Sequence, residues 1–195
     1  MQYFSPATER NKSPILEQLI QWLNGNESIL EIGSSSGQHG VYFTELMPNL
    51  VWQFSDRKNY LAGLAKNISN INRSNLSLPI ELDVIDYDWP SKKYDVVFSA
   101  NTIHIMLEHE VEYFLNHVHL ALKHNGRLIV YGPFNYQGNY TSESNKAFDL
   151  SLKQQGYGGI KSFERLDKIL SQYGFKLQKD INMPANNRLL VWQLS

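Results

Sequence analysis

Apolar side chains along this chain switch repeatedly between helical and strand spacing. In "SPILEQLIQWLNG", residues Ile15, Leu16, Leu19, Ile20 and Leu23 recur at helical intervals. Ser13 is placed to cap that helix, Pro14 suits its first turn, and Gly25 lies past its end. "SILEI" (28–32) reads as a buried strand, and "GQHGVYFTELMP" as a helix closed by Pro48. The alternation continues with strand "VWQFS" (51–55), helix "YLAGLAKNISNI" (60–71) and strand "IELD" (80–83). "YDVVFSA" (94–100) is the clearest strand, because Val96, Val97 and Phe98 are apolar in succession, as in a sheet covered on both faces. A helix over 108–123, a strand over 127–132, a loop from Pro133 to Tyr140 and helices over about 142–152 and 162–173 follow. "FKLQKDI" and "RLLVWQL" close the chain as two strands joined only by "NMPANN". A connection that short forces antiparallel pairing, since a parallel crossover needs a dozen or more residues.

Strands alternating with helices predict a parallel sheet with helices on both faces. The expected fold is therefore α/β and Rossmann-like, with a seven-stranded, mostly parallel sheet whose last strand is antiparallel. Ligands of such sheets sit beyond the carboxyl ends of the strands. The chain has 195 residues, enough for one domain with a real core. It carries no repeat and no linker-like tract, so residues 1–195 are read as a single domain.

Composition narrows the choices. An apolar fraction of 42% with 12% aromatics belongs to a globular protein. The net charge of −1 speaks against a broad basic face for nucleic acid. There is no cysteine, which excludes disulfides, thiolate metal sites and cysteine nucleophiles. The polar N-terminus is no signal peptide, and no apolar run approaches the ~20 residues that span a bilayer. A soluble, cytoplasmic protein is the expectation. The histidines form no convincing metal pair with an acid, so no metal is expected.

The chemistry is concentrated in "ILEIGSSSGQHG" (29–40). A phosphate-binding P-loop needs G-x-x-x-x-G-K-[ST]. Here Gly33 and Gly37 are one residue too close and Gln38 replaces the lysine. A dinucleotide loop needs G-x-G-x-x-G, and only Gly33 fits it. A nicotinamide-dependent oxidoreductase is accordingly disfavoured. An acid followed by glycines at alternate positions fits better: Glu31, Gly33, Ser35 and Gly37 match with one glycine replaced by serine. The bland reading is a tight strand-to-helix turn with no ligand. Further along, Asp56 ends the second strand, where an acid can accept hydrogen bonds from both ribose hydroxyls of an adenosine group. Asp83 ends the third, and "SANTIH" (99–104) follows the fourth.

This series of strand-end groups, with the antiparallel ending, resembles the class I S-adenosylmethionine-dependent methyltransferases over nearly the whole length. The resemblance implies S-adenosylmethionine as cofactor, with Glu31, Gly33, Ser35, Gly37, Asp56, Asp83, Val84 and Asn101 around it. Asp83 would bond the adenine amino group and Val84 would give a backbone contact. The motifs "YGPF", "T-x-x-SN-x-x-FD-x-SL" and "MPANN" further resemble the family that contains the methyltransferase-like 26 proteins. That family supplies no substrate. An "ISPW"-like segment expected after the histidine is "IMLE" here.

Methyl transfer is an in-line displacement, so positioning does much of the work. A base is needed only when the acceptor arrives protonated. His104 is the first candidate, since an unperturbed histidine accepts a proton near neutral pH; Tyr140 is the second. The alternative for His104 is a structural histidine at a strand end. Tyr131, Ser144, Asn145 and Asn186 are candidates for binding the substrate, with 133–160 as a substrate-side lid. Asn186 is also well suited to a plain turn. Arg10 and Lys12 lie in an N-terminal segment, 1–13, expected over the cleft; either could pair with a carboxylate. The strand-four position lacks the Asn/Asp-Pro-Pro-aromatic signature of many nitrogen methyltransferases. A small molecule methylated on oxygen, nitrogen or sulfur is the leading substrate class, without nucleic acid or membrane. The competing reading is a non-catalytic binding or scaffold protein that keeps the fold.

Overall fold

A computed structural model describes residues 1–86 and 88–195. Its seven-stranded sheet has the order β3-β2-β1-β4-β5-β9-β8. The strands are β1 Ser28–Ile32, β2 Val51–Asp56, β3 Leu76–Glu81, β4 Tyr94–Ala100, β5 Leu122–Gly132, β8 Phe175–Met183 and β9 Asn187–Leu194. Strands β1 to β5 pair in parallel, and β9 runs antiparallel to both β5 and β8. This is the fold class expected from the alternation.

Strand periodicity divides the core into two layers. Val96, Phe98, Ile129 and Val191 point to one face, where Ile15, Phe43 and Leu64 cover them. Val97, Leu128, Val130 and Leu190 point to the other, beneath Val111, Phe114, Leu166 and Leu170. The covering helices are α1 Pro6–Leu19, α2 Gln38–Leu46 and α3 Lys58–Ser69 on the first face, with α4 Glu108–His117 and α6 Phe163–Gln172 on the second. Among the described residues no helix is long and apolar enough to cross a membrane.

The helix expected over 108–123 ends at His117, with a 3-10 turn over Val118–Ala121 after it. Three further boundaries differ from the sequence reading, each for a physical reason. Helix α1 begins at Pro6, so most of the expected 1–13 segment is helical and Pro14 lies inside the helix. The chain contains Ser-Pro twice, and the first pair forms the cap. Ser5 Oγ accepts from the Thr8 N–H at 3.2 Å, and the Ser5 N–H donates to Gln38 Oε1 at 2.7 Å. Strand β3 starts at Leu76 and ends at Glu81, two residues before Asp83. Pro79 is tolerated within it because β3 is an edge strand. Strand β5 starts at Leu122, and the "HNG" break is a kink within it: Asn125 has φ 61, and the register with β4 shifts between Tyr94 and Val96.

The predicted loop after β5 contains a two-residue strand, β6 Phe134–Asn135, paired in parallel with β7 Lys161–Ser162. Helix α5 Glu143–Gln154 lies between them in sequence and is capped by Ser142, whose Oγ accepts from the Asn145 N–H.

Candidate active site

The strand ends of β1, β2 and β4 open onto a cavity of about 420 Å³. That volume lies in the usual range for a small-molecule site, ~300–1,000 Å³. Its floor is the β1–α2 turn. Gly33 has φ 73, and a Cβ placed there would lie 2.6 Å from Thr102 Cγ2, so only glycine fits. Ser35 also sits in the left-handed region, at φ 50, and lines the cavity.

The Ser35 N–H donates to Asp56 Oδ2 at 2.7 Å, and the Arg57 N–H donates to Oδ1 at 2.8 Å. Asp56 is thus buried but fixed, with lone pairs left for a ligand. Burial pushes its carboxyl above the ordinary carboxylate range, although both N–H groups pull the other way. Asp83 and Val84 follow β3 on the next stretch of wall. Asn101, at φ 57, turns the chain after β4 while its N–H donates to the Tyr131 carbonyl at 2.9 Å. Of the residues expected around a cofactor, Gly33, Ser35, Asp56, Asp83, Val84 and Asn101 share this one cavity.

Glu31 and Gly37 do not line it. Gly37 faces Phe54 and Leu64 in the core and begins α2 at φ 79. Glu31 is buried and accepts from Trp52 Nε1–H at 3.0 Å, with His39 Nδ1 3.6 Å from its other oxygen. His39 does line the cavity. Its Nε2 is 2.9 Å from Asn11 Oδ1, and the side chains of Asn11 and Asn187 lie near the Tyr131 hydroxyl, where they oppose the rise that burial gives its pKa. A buried polar line therefore runs from the β1 acid through α1 to the start of β9.

The proposed catalytic and substrate residues lie outside the cavity wall. His104 is 7% exposed, with its ring edge-on to Phe148 at 5.3 Å and no hydrogen-bond partner among the described residues. Burial, and then the nearby Lys161 ammonium, lower its pKa from 6.5 to about 4. Tyr140 donates to Asp149 Oδ2 at 2.6 Å, and that bond raises the phenol pKa. Asn145 Nδ2 donates to the Asn186 carbonyl at 3.0 Å, and Asn186 Nδ2 to Ser144 Oγ at 3.3 Å. These three residues join α5 to the β8–β9 turn. Lys12 pairs with Glu9 and lies 4.7 Å over the Tyr42 ring, while Arg10 is exposed.

Other wall residues were not singled out from the sequence. Ser5 and Thr8 come from the start of α1. Arg57 and Glu110 approach to 3.9 Å on the wall. Ile105, Met106 and Tyr157 complete it. The one signal for Tyr157 was its setting in "GYGG", a glycine-rich stretch of the kind that approaches a ligand closely. Among the described residues no three acidic or histidine side chains cluster as metal ligands.

Comparison with known proteins places this arrangement. Residues 2–194 match the family described as "Protein of unknown function (DUF938)". The chain belongs to that family. Among solved structures, DUF938 here is similar to human N-acetylserotonin methyltransferase in complex with SAM, at 13% identity and TM-score 0.80, over 97% of this chain and 53% of that one. An O-methyltransferase family protein from Burkholderia thailandensis gives 16% identity and TM-score 0.81, over 97% and 57%. A third, from Planctomyces limnophilus in complex with apigenin, gives 14% and 0.80, over 97% and 60%. The DUF938 chain spans just over half the length of these proteins, and its fold is that of the class I methyltransferases.

Proposed function

We propose that this DUF938 protein is an S-adenosylmethionine-dependent methyltransferase acting on a small molecule, in a cytoplasmic setting, and akin to the methyltransferase-like 26 proteins. One observation carries the reading: the ends of four successive strands bring their loop and polar groups to a single cavity of about 420 Å³. The residues fit the cofactor. Asp56 would hold the ribose hydroxyls with the lone pairs not used by Ser35 and Arg57. Asp83 and the Val84 backbone would hold the adenine, and Gly33 and Asn101 the amino-acid end. Solved neighbours crystallised with SAM or with SAH support this assignment.

When bound, the cofactor supplies a methyl group already activated on a sulfonium, so the protein's share is positioning and the exclusion of water. His104 is neutral at pH 7 and its ring is unpartnered, which leaves it free to take a proton. With so low a proton affinity it suits an acidic acceptor, such as a phenol or thiol, better than an alcohol. Tyr140, engaged by Asp149, would hold the 133–160 lid in place. Ser144, Asn145, Asn186 and Tyr131 would frame the acceptor's approach, with Arg10 at its outer edge. Lys12 would act through Glu9, its partner. Glu31 would act through His39, and Gly37 by starting α2.

Calorimetry with S-adenosylhomocysteine tests the reading. Binding in about the micromolar range is expected, weakened at least tenfold by Asp56→Ala. No heat with either S-adenosylmethionine or its product overturns it. A non-catalytic binding role is the second reading, favoured by Ser35 where the pattern has glycine. Cofactor binding without methyl transfer to any member of a phenol, thiol and amine panel would select that one.

A further inference from the structure

The chain buries one lysine that the reading above does not use. Lys161 is 3% exposed, although it lies outside the sheet core on β7. Its Nζ donates to the Met106 carbonyl and to the Gly159 carbonyl, each at 2.9 Å. Glu108 Oε1 stands 3.5 Å away. A lysine so placed loses a long side chain's rotamer freedom and the hydration of its charge. Burial accordingly lowers its pKa, against the pull of Glu108 and Asp149 and with Lys153 repelling from α5.

What these bonds connect is specific. Met106 belongs to the 104–108 segment, whose Ile105, Met106 and Leu107 form cavity wall. Gly159 belongs to the 156–159 segment, which places Gly156 and Tyr157 on the same cavity. The two segments also meet through their backbones. The Gly159 N–H donates to the His104 carbonyl at 3.0 Å and the Gly158 N–H to the Ile105 carbonyl at 3.4 Å. Neither approach tolerates a side chain, because a Cβ on Gly158 would collide with the Met106 carbonyl and one on Gly159 with Asp149 Oδ1. Asp149 holds the far side. It is fully buried and accepts from the Ile160 N–H at 2.6 Å, Lys153 Nζ at 2.8 Å and the Tyr140 hydroxyl at 2.6 Å.

We propose that Lys161 is a positioning residue for the ligand cavity: its buried ammonium clamps segment 104–108 to segment 156–159, fixing together the wall formed by Ile105–Leu107 and the Tyr157 side chain. This rests on the cavity being a cofactor site. A cation suits the task because two carbonyls, one from each segment, accept at one place. A hydrogen bond from a charged donor is about twice as strong as a neutral one. The clamp also brings a positive charge near His104, the proposed proton acceptor, and that charge adds to burial in lowering its proton affinity.

The test uses the whole chain, with S-adenosylhomocysteine as probe. Lys161→Met keeps the length of the side chain and removes the donor. Lys161→Gln keeps one neutral donor. We expect affinity to fall roughly tenfold or more for Met and by less for Gln. In the apo proteins, hydrogen exchange should accelerate at amides 104–108 and 156–159 and not in β1 or β4. The His104 imidazole should titrate at higher pH in Lys161→Met by NMR, and by a smaller step than full exposure would give, because burial, the larger cause of its low pKa, remains. If Lys161→Met does not fold, the Gln variant alone decides by the same three readouts. Wild-type protein that binds no probe overturns the cofactor reading. Wild-type binding with unchanged affinity and unchanged local exchange in the variants overturns the clamp and leaves that reading standing.

Discussion

Gly33→Ala is the most direct probe of how the ligand loop is built. The residue has φ 73, and a Cβ there would lie 2.6 Å from Thr102 Cγ2 and 2.7 Å from Thr102 Oγ1. Left-handed backbone costs an L-residue about 1–2 kcal/mol. Overlap with Thr102 adds about 1–3 kcal/mol, the usual cost of overpacking. Alanine restricts the unfolded chain and returns up to about 1 kcal/mol. A net loss of about 1–4 kcal/mol follows. Thr102 cannot retreat freely, because its hydroxyl donates to the Ala100 carbonyl at 3.0 Å. Thr102→Ala removes both colliding atoms. In the double variant the overlap disappears and the backbone cost remains, so the two changes should couple by about 1–3 kcal/mol. Urea denaturation followed by tryptophan fluorescence measures all four corners of the cycle. A Gly33→Ala protein within about 0.5 kcal/mol of wild type, or strictly additive variants, would refute the reasoning.

Other consequences can be measured in the same way. His104 binds its proton more weakly folded than unfolded, so acidification from pH 6.5 towards 4 favours the unfolded chain. His104→Phe should flatten that limb, whose slope in the wild type approaches about 1.4 kcal/mol per pH unit. Asp149→Ala should cost about 1–3 kcal/mol in denaturant, since it leaves the Ile160 N–H and the Tyr140 hydroxyl without their acceptor, while Lys153 is exposed enough to be rehydrated. Although burial pushes the Asp149 carboxyl up, Lys153, Tyr140 and the Ile160 N–H hold it below the ordinary value. Its contribution is therefore complete above the ordinary carboxylate pKa and lost as pH falls through the lowered one, and the variant should lack that acid-side loss. Ser35→Gly should relieve the φ of 50 against an entropic cost of about 0.5–1 kcal/mol, so that stability changes by under about 1 kcal/mol, and tighten S-adenosylhomocysteine binding in calorimetry.

The fold was legible because burial on two faces leaves an unmistakable trace. Val96-Val97-Phe98 supplies both core layers from three consecutive positions, and only a strand covered on both sides does that. Boundaries were harder where one local signal competed with another. Ser5-Pro6 and Ser13-Pro14 are equally good helix starts as sequence, and contacts from Gln38, distant in the chain, separate them. The cofactor side of the site was legible because strand ends follow from topology: Asp56 ends β2, Asp83 lies two residues past β3 and Asn101 directly follows β4. Glu31 was misleading in position, since a strand's alternation turned its side chain to Trp52 and not to the cavity. His39 carries no ligand signature in the sequence, and the structure makes it a wall residue that also belongs to a buried polar line. The wall from 105–107 and 156–157 was illegible. It depends on Lys161 meeting a segment 55 residues away, while Asp149 anchors the 11-residue return to Ile160, and no local pattern encodes such a meeting.

Strand β9 follows β8 in the chain yet lies between β8 and β5 in the sheet. This dictates an order of assembly. Among the described residues β8 has no strand partner except β9, so it cannot join the sheet first. The two must arrive as a preformed hairpin, or β9 must dock on β5 and draw β8 after it. Until then β5 presents a bare edge, an aggregation hazard for the half-made molecule. The step that closes this edge also delivers Asn187 to Tyr131 and completes the polar line to α1. Sealing the sheet edge and finishing the surroundings of the ligand site are thus one and the same docking step.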